Sequence, residues 1–354
     1  MKNPNHWLHI AQALAAQGMK TAPFTGVDAA SYADPMDQFQ IEPALTNLVL
    51  GVPRPLGFPG LEILRPWQVP AWEYRWTTFG SERHAVKDAK RGPSAQIKHS
   101  TFGIATTSGK QERYSWKYGF DLDQFSAADQ RLGIAEKCAA NARSIVEMAM
   151  EWERADLLTT AATYPAANRL AIGAGDEWDD TTPGDPRDHV RTVVDAVADA
   201  NGLDDEEISV FLPREVYRAA IADADFITFK RNQTTGLGGN AFTVKAQNLQ
   251  LLASYWEVGK VWTANMRYQN TAGVMVPMYG DVAIVYYDGD MVSQAWDISQ
   301  GQYEFGRTAM WNRGIAQAPY MEEDTTTRWY PWHGYQEPLI TNSALAGIIT
   351  NILT

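Results

Sequence analysis

The 354-residue sequence has a single cysteine, Cys138. One thiol excludes any disulfide within the chain and any zinc site built from cysteines, so packing has to hold the fold together. Long hydrophobic runs are missing as well. No stretch approaches the roughly 20 apolar residues of a membrane span, and the opening MKNPNHWLHIAQALAAQG lacks the unbroken apolar core of a secretion signal. The expectation is a soluble product made in the cytoplasm, with no membrane partner. Positive charge is scarce: 30 Lys and Arg stand against 42 Asp and Glu, a formal net charge of −12. That balance argues against one broad basic face for nucleic acid and leaves only local contacts.

What is present is the composition of a globular chain, 45% apolar and 11% aromatic, which excludes disorder of the whole. Its length suits one large or two modest domains. Charge is spread unevenly. The first 24 residues hold Lys2 and Lys20 and no acid, and residues 82–98 hold Arg83, Lys87, Lys90, Arg91 and Lys98 against Glu82 and Asp88. In contrast, DDEE at 204–207 and MEEDTTTR at 321–328 are acidic. Such patches are either solvated loops or complementary contacts between copies.

Periodicity sets out the elements. Trp7, Leu8, Ile10, Ala11 and Leu14 have helical spacing and stop at Gly18. Residues 21–60 are rich in Pro, Gly, Asn and Asp with only ALTNLVLGV apolar, an extended arm without a core of its own. The runs 61–79 and 101–120 alternate aromatic and polar residues and flank the basic segment as the two strands of a long excursion. From 127 to 162, Ala135, Cys138, Ala142, Ile145, Ala149 and Trp152 recur at spacings of three and four. A helix of that length spans roughly 50 Å and suits a structural spine. After the short strand NRLAIGAG comes an acidic loop, then Asp185 as N-cap and Pro186 in the first helical position, with Val190, Val193, Val194 and Val197 as the buried stripe and Asn201-Gly202 as the stop. The strand EISVFLP, the helix REVYRAAIAD, a polar glycine-rich loop KRNQTTGLGGN, a helix over 244–253 and strands in KVWTANMRYQ and DVAIVYY make an α/β unit. The tail from Gln302 returns to strands.

Candidate chemistry is thin. Asp176, Glu177, Asp179 and Asp180 offer carboxylates, but their spacing is not that of an EF-hand, and capping and loop solvation account for most of them. GLGGNA at 236–241 matches a dinucleotide fingerprint with Glu257 at a plausible distance, yet five polar residues separate it from the nearest apolar run, so the strand-turn-helix is lacking. His6 and His9 lie about one helical turn apart without a third ligand. No G-x-S-x-G elbow occurs, and His84, His99, His189 and His333 have no nucleophile in a recognisable order. No cofactor and no catalysis are expected. The 13 tryptophans read as core or interface anchors.

The order of elements, with the spine SAADQRLGIAEKCAANARSIVEMAMEWERADLL, the stretch YPAANRLAIGAGDEWDD through DPRDHV, and ISVFLPREVYRAAIAD, resembles the major capsid proteins of tailed bacteriophages, the HK97 fold. The resemblance covers about residue 60 to the end, and its most specific piece is Trp178-Asp179-Asp180 followed by Asp185-Pro186. It implies an α+β fold: an N-terminal helix and arm over 1–60, an extended loop over 61–105, a peripheral domain from 106–175 and 303–354 with its spine helix at 127–162, and an axial domain over 176–302. In it, Trp178, Asp179, Asp180, Asp185 and Pro186 mark a domain crossing and helix cap. Arg83, Lys87, Lys90, Arg91 and Lys98 contact a neighbouring subunit, and Lys230, Arg231, Gly236, Gly238 and Gly239 line a tip loop at the capsomer axis. The mildly basic start, Lys2 and Lys20, faces DNA.

The implied function is a shell of pentamers and hexamers enclosing double-stranded DNA without sequence specificity, with scaffold, portal and decoration proteins as further partners. Family members that carry a cleaved scaffolding region begin with a long charged helix. Here about 60 residues poor in coiled-coil pattern precede the excursion, which implies no such cleavage and a scaffold supplied separately or not at all. Some members crosslink a lysine to an asparagine of another subunit. Lys87, Lys90 and Lys98 are candidates by position, and noncovalent contacts are expected. An encapsulin-type compartment around a cargo protein shares the fold and is the alternative; a nucleotide-dependent oxidoreductase built on 176–300 is a third reading.

Overall fold

The computed structural model describes residues 57–79, 104–121, 128–180, 184–234, 245–288, 304–311, 314–322 and 326–354. All belong to one unit, Ile41–Thr354. The expected terminal helix with Lys2 and Lys20, the arm up to residue 56, the basic segment with Arg83, Lys87, Lys90, Arg91 and Lys98, and the loop glycines Gly236, Gly238 and Gly239 lie outside the described residues.

In chain order the elements are α1 (Pro59–Ile63), β1 (Arg65–Gln68), β2 (Glu73–Phe79), β3 (Ile104–Lys110), β4 (Glu112–Asp121), α2 (Ala128–Thr159), β5 (Arg169–Ala171), α3 (Pro186–Asn201), β6 (Ile208–Pro213), α4 (Arg214–Ala222), α5 (Ala224–Thr234) and α6 (Lys245–Trp256). There follow β7 (Lys260–Ala264), β8 (Arg267–Gln269), β9 (Met275–Pro277), β10 (Ala283–Tyr287), β11 (Gly306–Met310), β12 (Ile315–Ala316), β13 (Tyr320–Met321), β14 (Thr327–Ile340) and β15 (Ala346–Thr350).

Two sheets organise them. The five-stranded sheet runs β5-β15-β10-β6-β7, and its central strands β15, β10 and β6 are buried on both faces. Val210, Leu212, Val285 and Ile349 turn to one side, where α3, α4 and α6 pack on them; Phe211, Ile284, Tyr286 and Ile348 turn to the other, with Ala155 and Leu158 of α2. A strand that alternates between two dry layers has no solvent face, which is why ISVFLP is buried at every position. The parallel step from β6 to β7 requires a crossover, and α4, α5 and α6 supply it.

The six-stranded sheet is built on β14. Its 14 residues pair with β4 over a ten-residue register from Thr327↔Asp121 to Gln336↔Glu112, and further with β11, β12 and β13. The helix α2 lies across β4 and β14, with Cys138, Ala142, Val146 and Met150 against Trp332, Tyr330 and Phe120. Gly334 permits the close approach: a Cβ there would come within 2.7 Å of Met150 Sδ. The two sheets meet where Arg65 Nη2 bonds Asp288 Oδ1 at 2.5 Å, an oxygen pair also reached by Ser209 and Lys260.

Several expectations change. Residues 61–63, the start of the expected strand run, belong to α1, because Pro59 starts a helical turn. The antiparallel pair of the excursion is β2 with β3, from Glu73↔Lys110 to Phe79↔Ile104; after Gln111 the chain leaves it and joins β14. The last strand, β15, pairs with β10 and β5 rather than with β14. In its run AGIIT, Ile349 packs into the layer with α3 and Ile348 into the layer with α2. The spine's apolar line also drifts. Cys138, Ile145 and Trp152 are seven apart, and an α-helix falls about 20° short per heptad, so Cys138 is buried while Ile145 and Trp152 are 36% and 50% exposed. The buried line passes instead through Val146, Met150, Ala155 and Leu158.

Candidate functional site

The stretch between the spine and α3 shows what its acids do. Trp178 is buried, its backbone N–H donates to Ile352 O at 2.8 Å, and its Nε1 donates to His189 Nδ1 at 3.1 Å. Asp179 accepts from the backbone N–H of Thr354 at 2.9 Å, so this segment is tied to the end of the chain, a contact without a sequence signal. Glu177 Oε2 accepts from Gly175 N, and Asp180 N donates to Glu177 O. Asp185 accepts from Arg187 N at 2.8 Å, Pro186 fills the first helical position, and Gly202 closes the helix at φ 64°. The carboxylates of Glu177, Asp179 and Asp185 thus serve a turn, a chain-end contact and a helix cap. Among the described residues no group of three His, Cys, Asp or Glu is placed to hold a metal ion.

Lys230 and Arg231, expected in a loop, stand in the last turns of α5, which continues to Thr234. The reason is a fresh helix start: Asp223 accepts from Phe226 N at 2.9 Å, and Phe226 and Phe229 pack on Tyr255. Lys230 Nζ donates to Asn248 Oδ1 at 2.9 Å, which ties α5 to α6. A helix therefore leads towards GLGGNA, where the dinucleotide fold requires a strand.

At the root of the excursion, Tyr74 donates to Glu337 Oε2 at 2.6 Å. Burial raises both groups, and the tyrosine is raised further by its carboxylate partner, so the phenol keeps its proton and its donor role. Trp72 and Trp311 both meet Tyr335 edge-on, at 5.6 and 5.2 Å between ring centres, and Gln111 Oε1 accepts from Trp311 N. The excursion thus starts from an aromatic footing on β14.

Deeper, the spine carries a buried polar knot that sequence reasoning missed. Glu151 and Arg154 are fully or nearly fully buried and joined at 2.6 Å. Glu151 Oε1 also accepts from Gly60 N and from Tyr279 OH, each at 2.6 Å. Arg154 donates to Gln336 Oε1, and Gln336 Nε2 donates to Met150 O. One carboxylate therefore ties the spine to α1 and to the turn before β10. The available signal was position: Glu151 lies four and seven residues before Ala155 and Leu158, on their apolar line.

His333, 5% exposed, is held by Ser115 Oγ at 2.8 Å, Arg113 Nη2 at 3.1 Å and Gln317 Oε1 at 3.0 Å. Burial, then the Arg113 charge, lower its pKa from 6.5 to about 4. The folded state therefore binds fewer protons than the unfolded one between those values. Its contribution to stability is complete above about pH 6.5 and is lost as pH falls towards 4. Urea midpoints from pH 7.5 to 4.5 should fall more steeply for the wild type than for His333→Gln; equal slopes would contradict this.

The described surface is rich in large apolar side chains. Trp116 and Tyr118 on β4, Ile145 and Trp152 on α2, Tyr320 and Met321 on β13, and Val274 and Met275 at the β8–β9 hairpin are all exposed. Single exposed apolar residues are ordinary, and it is contiguous patches of them that mark contact surfaces.

No family model matches the chain, and no curated protein matches it. Solved structures do. A phage-related protein from Bordetella bronchiseptica RB50 superposes with a TM-score of 0.66 at 17% identity, over 89% of this chain and 98% of that one. The capsid of the cyanophage P-SCSP1u gives 0.53 at 10% identity, over 92% of each chain. The mature capsid of bacteriophage PhiM1 gives 0.51 at 12% identity, over 86% and 90%. With its long spine across one sheet, a second sheet whose central strands are buried on both faces and its two-stranded excursion, the chain has the HK97-like fold of phage capsid structures.

Proposed function

We propose that the chain is the major capsid protein of a tailed bacteriophage, resident in the virion, whose copies close as pentamers and hexamers into an icosahedral shell around double-stranded DNA. The observation that carries the reading is a shared fold over 92% and 90% of the length of two capsid chains. The aromatic residues exposed on several elements support it, since a subunit surrounded by its own copies needs such surfaces on several sides. The net charge of −12 keeps free subunits apart and soluble before they assemble.

In this reading the spine and the six-stranded sheet form the peripheral part, the helices and the five-stranded sheet the axial part, and Trp178 to Pro186 the crossing. The basic residues Arg83, Lys87, Lys90, Arg91 and Lys98 meet a neighbouring subunit. Lys230 and Arg231, with the glycines that follow, approach the capsomer axis. Lys2 and Lys20 face the genome, which is held without sequence specificity. Scaffold, portal and decoration proteins complete the assembly in the host cytoplasm.

Negative-stain microscopy and native mass measurement of the chain expressed alone test the proposal. Closed shells or capsomer rings are expected. A small oligomer that stays small at high concentration would overturn it.

A further inference from the structure

We propose that the edge of β4 away from β14, which has no partner strand among the described residues, pairs with the same strand of a second copy, antiparallel about a two-fold axis at Trp116. The inference deepens the shell reading and takes its setting from it, since closing identical subunits into a shell uses two-fold contacts.

Sheet edges in proteins that stay monomeric are kept short or are blocked by charge, proline or a bulge. The strand β4 is long, and of its charges Glu112, Arg113, Lys117 and Asp121 only Lys117 stands near its centre. Among the described residues it pairs with β14 alone, through ten positions without a bulge, and it contains no proline. Its one lysine is neutralised: Lys117 Nζ lies 4.3 Å from the ring centre of Trp329 and donates to Glu322 Oε1 at 3.0 Å. Beside it, Trp116 is 51% exposed and Tyr118 42% exposed.

The strand is complementary to itself in the register centred on Trp116, which overlaps residues 112–120 of both copies; centring on Tyr118 also opposes no like charges but overlaps only 115–121. Centred on Trp116, residue 116+n faces residue 116−n of the second copy. Trp116 then meets Trp116, Tyr114 meets Tyr118, Ser115 meets Lys117, and Arg113 meets Gly119, with no like charges opposed. Moving the centre to Lys117 sets two lysines against each other, and moving it to Ser115 sets Arg113 against Lys117. Cross-strand aromatic pairs favour the first register and like charges disfavour those centred on Lys117 and Ser115. A two-fold contact of this kind uses the same patch twice, so no separate acceptor surface is needed.

The test is Trp116→Cys in the full chain, mildly oxidised and run on a non-reducing gel. The native Cys138 is buried and adds little background. Residues facing each other across an antiparallel pair are close enough for a disulfide, so about tenfold more dimer is expected than for the equally exposed Trp152→Cys. Trp116→Lys, which sets two ammonium groups opposite each other, should remove the two-fold contact while circular dichroism shows the fold intact. Shells in which Trp116→Cys crosslinks no more than Trp152→Cys, or normal assembly of Trp116→Lys, would overturn the pairing and leave the capsid reading standing. If the wild-type chain forms no shells, the capsid reading falls. The same gel on the soluble chain then decides the pairing by itself.

Discussion

Glu151→Leu is expected to destabilise the subunit by about 3–5 kcal/mol, the cost of leaving one member of a buried ion pair without its partner. The substitution strands the Arg154 guanidinium at 2% exposure with Gln336 as its remaining partner. It also orphans the Gly60 N–H and the Tyr279 hydroxyl, both of which Glu151 accepts. Urea unfolding of unassembled subunits, with the slope unchanged, reads the loss as a lower midpoint.

The double variant Glu151→Leu/Arg154→Met should recover a large part of it, because two apolar side chains of similar volume remove the stranded charge. Tyr279 and Gly60 remain unsatisfied in that variant, so recovery should be incomplete. A single variant costing less than about 1 kcal/mol would mean that water reaches the arginine and that the knot is not dry. The knot also fixes where α1 leaves the spine. Proteolysis near Gly57 should therefore accelerate in Glu151→Leu before the rest of the body opens.

How far the sequence speaks depends on whether a signal is local. The helix α3 is legible because its cap, its first proline, its valine stripe and its closing glycine all lie within eighteen residues and agree. The stretch from Trp178 to Asp180 is half legible. Loop acids can be read as turn formers, but the bond from Thr354 to Asp179 joins residues 175 apart, and no pattern announces it. The same holds for β15, whose strand character is plain while its partners β10 and β5 are a matter of topology.

Two features were misjudged for physical reasons that can be named. The line Cys138, Ile145 and Trp152 looks like one buried stripe on a helical wheel, but over three turns and more it rotates away from the sheet. The run KRNQT at 230–234 reads as the start of a polar loop, yet Asp223 starts a helix that carries through it, with Phe226 and Phe229 packed on Tyr255. The knot escaped because charged residues in a long helix are read as solvent-facing, and only their register with Ala155 and Leu158 says otherwise. For the contact surfaces, the sequence supplies the aromatic residues but not their exposure. Trp116 and Trp332 are opposite each other on paired strands, and one is half exposed while the other is buried under the spine.

Trp256→Ala should cost about 3–5 kcal/mol, the range for deleting a buried tryptophan side chain. Trp256 is completely buried at the end of α6, in the core between the helices and the five-stranded sheet, with Trp178 at 6.1 Å between ring centres. Its indole N–H has no acceptor among the described residues. Replacement by phenylalanine therefore breaks no hydrogen bond there, and Trp256→Phe should cost less than half as much as the alanine variant. Near-ultraviolet circular dichroism should register the alanine change most strongly, since Trp178 loses its ring neighbour while keeping its backbone bond to Ile352. The site and the knot lie on opposite faces of the five-stranded sheet and share no hydrogen-bond partner. The losses for Trp256→Ala and Glu151→Leu should thus add to within about 0.5 kcal/mol in the double variant. A sum that falls well short would mean that the sheet transmits strain from one layer to the other, and that the crossing at Trp178 responds to packing on the spine. Additivity would instead make the two layers independent, so that either could be altered in an assembled shell without loosening the other.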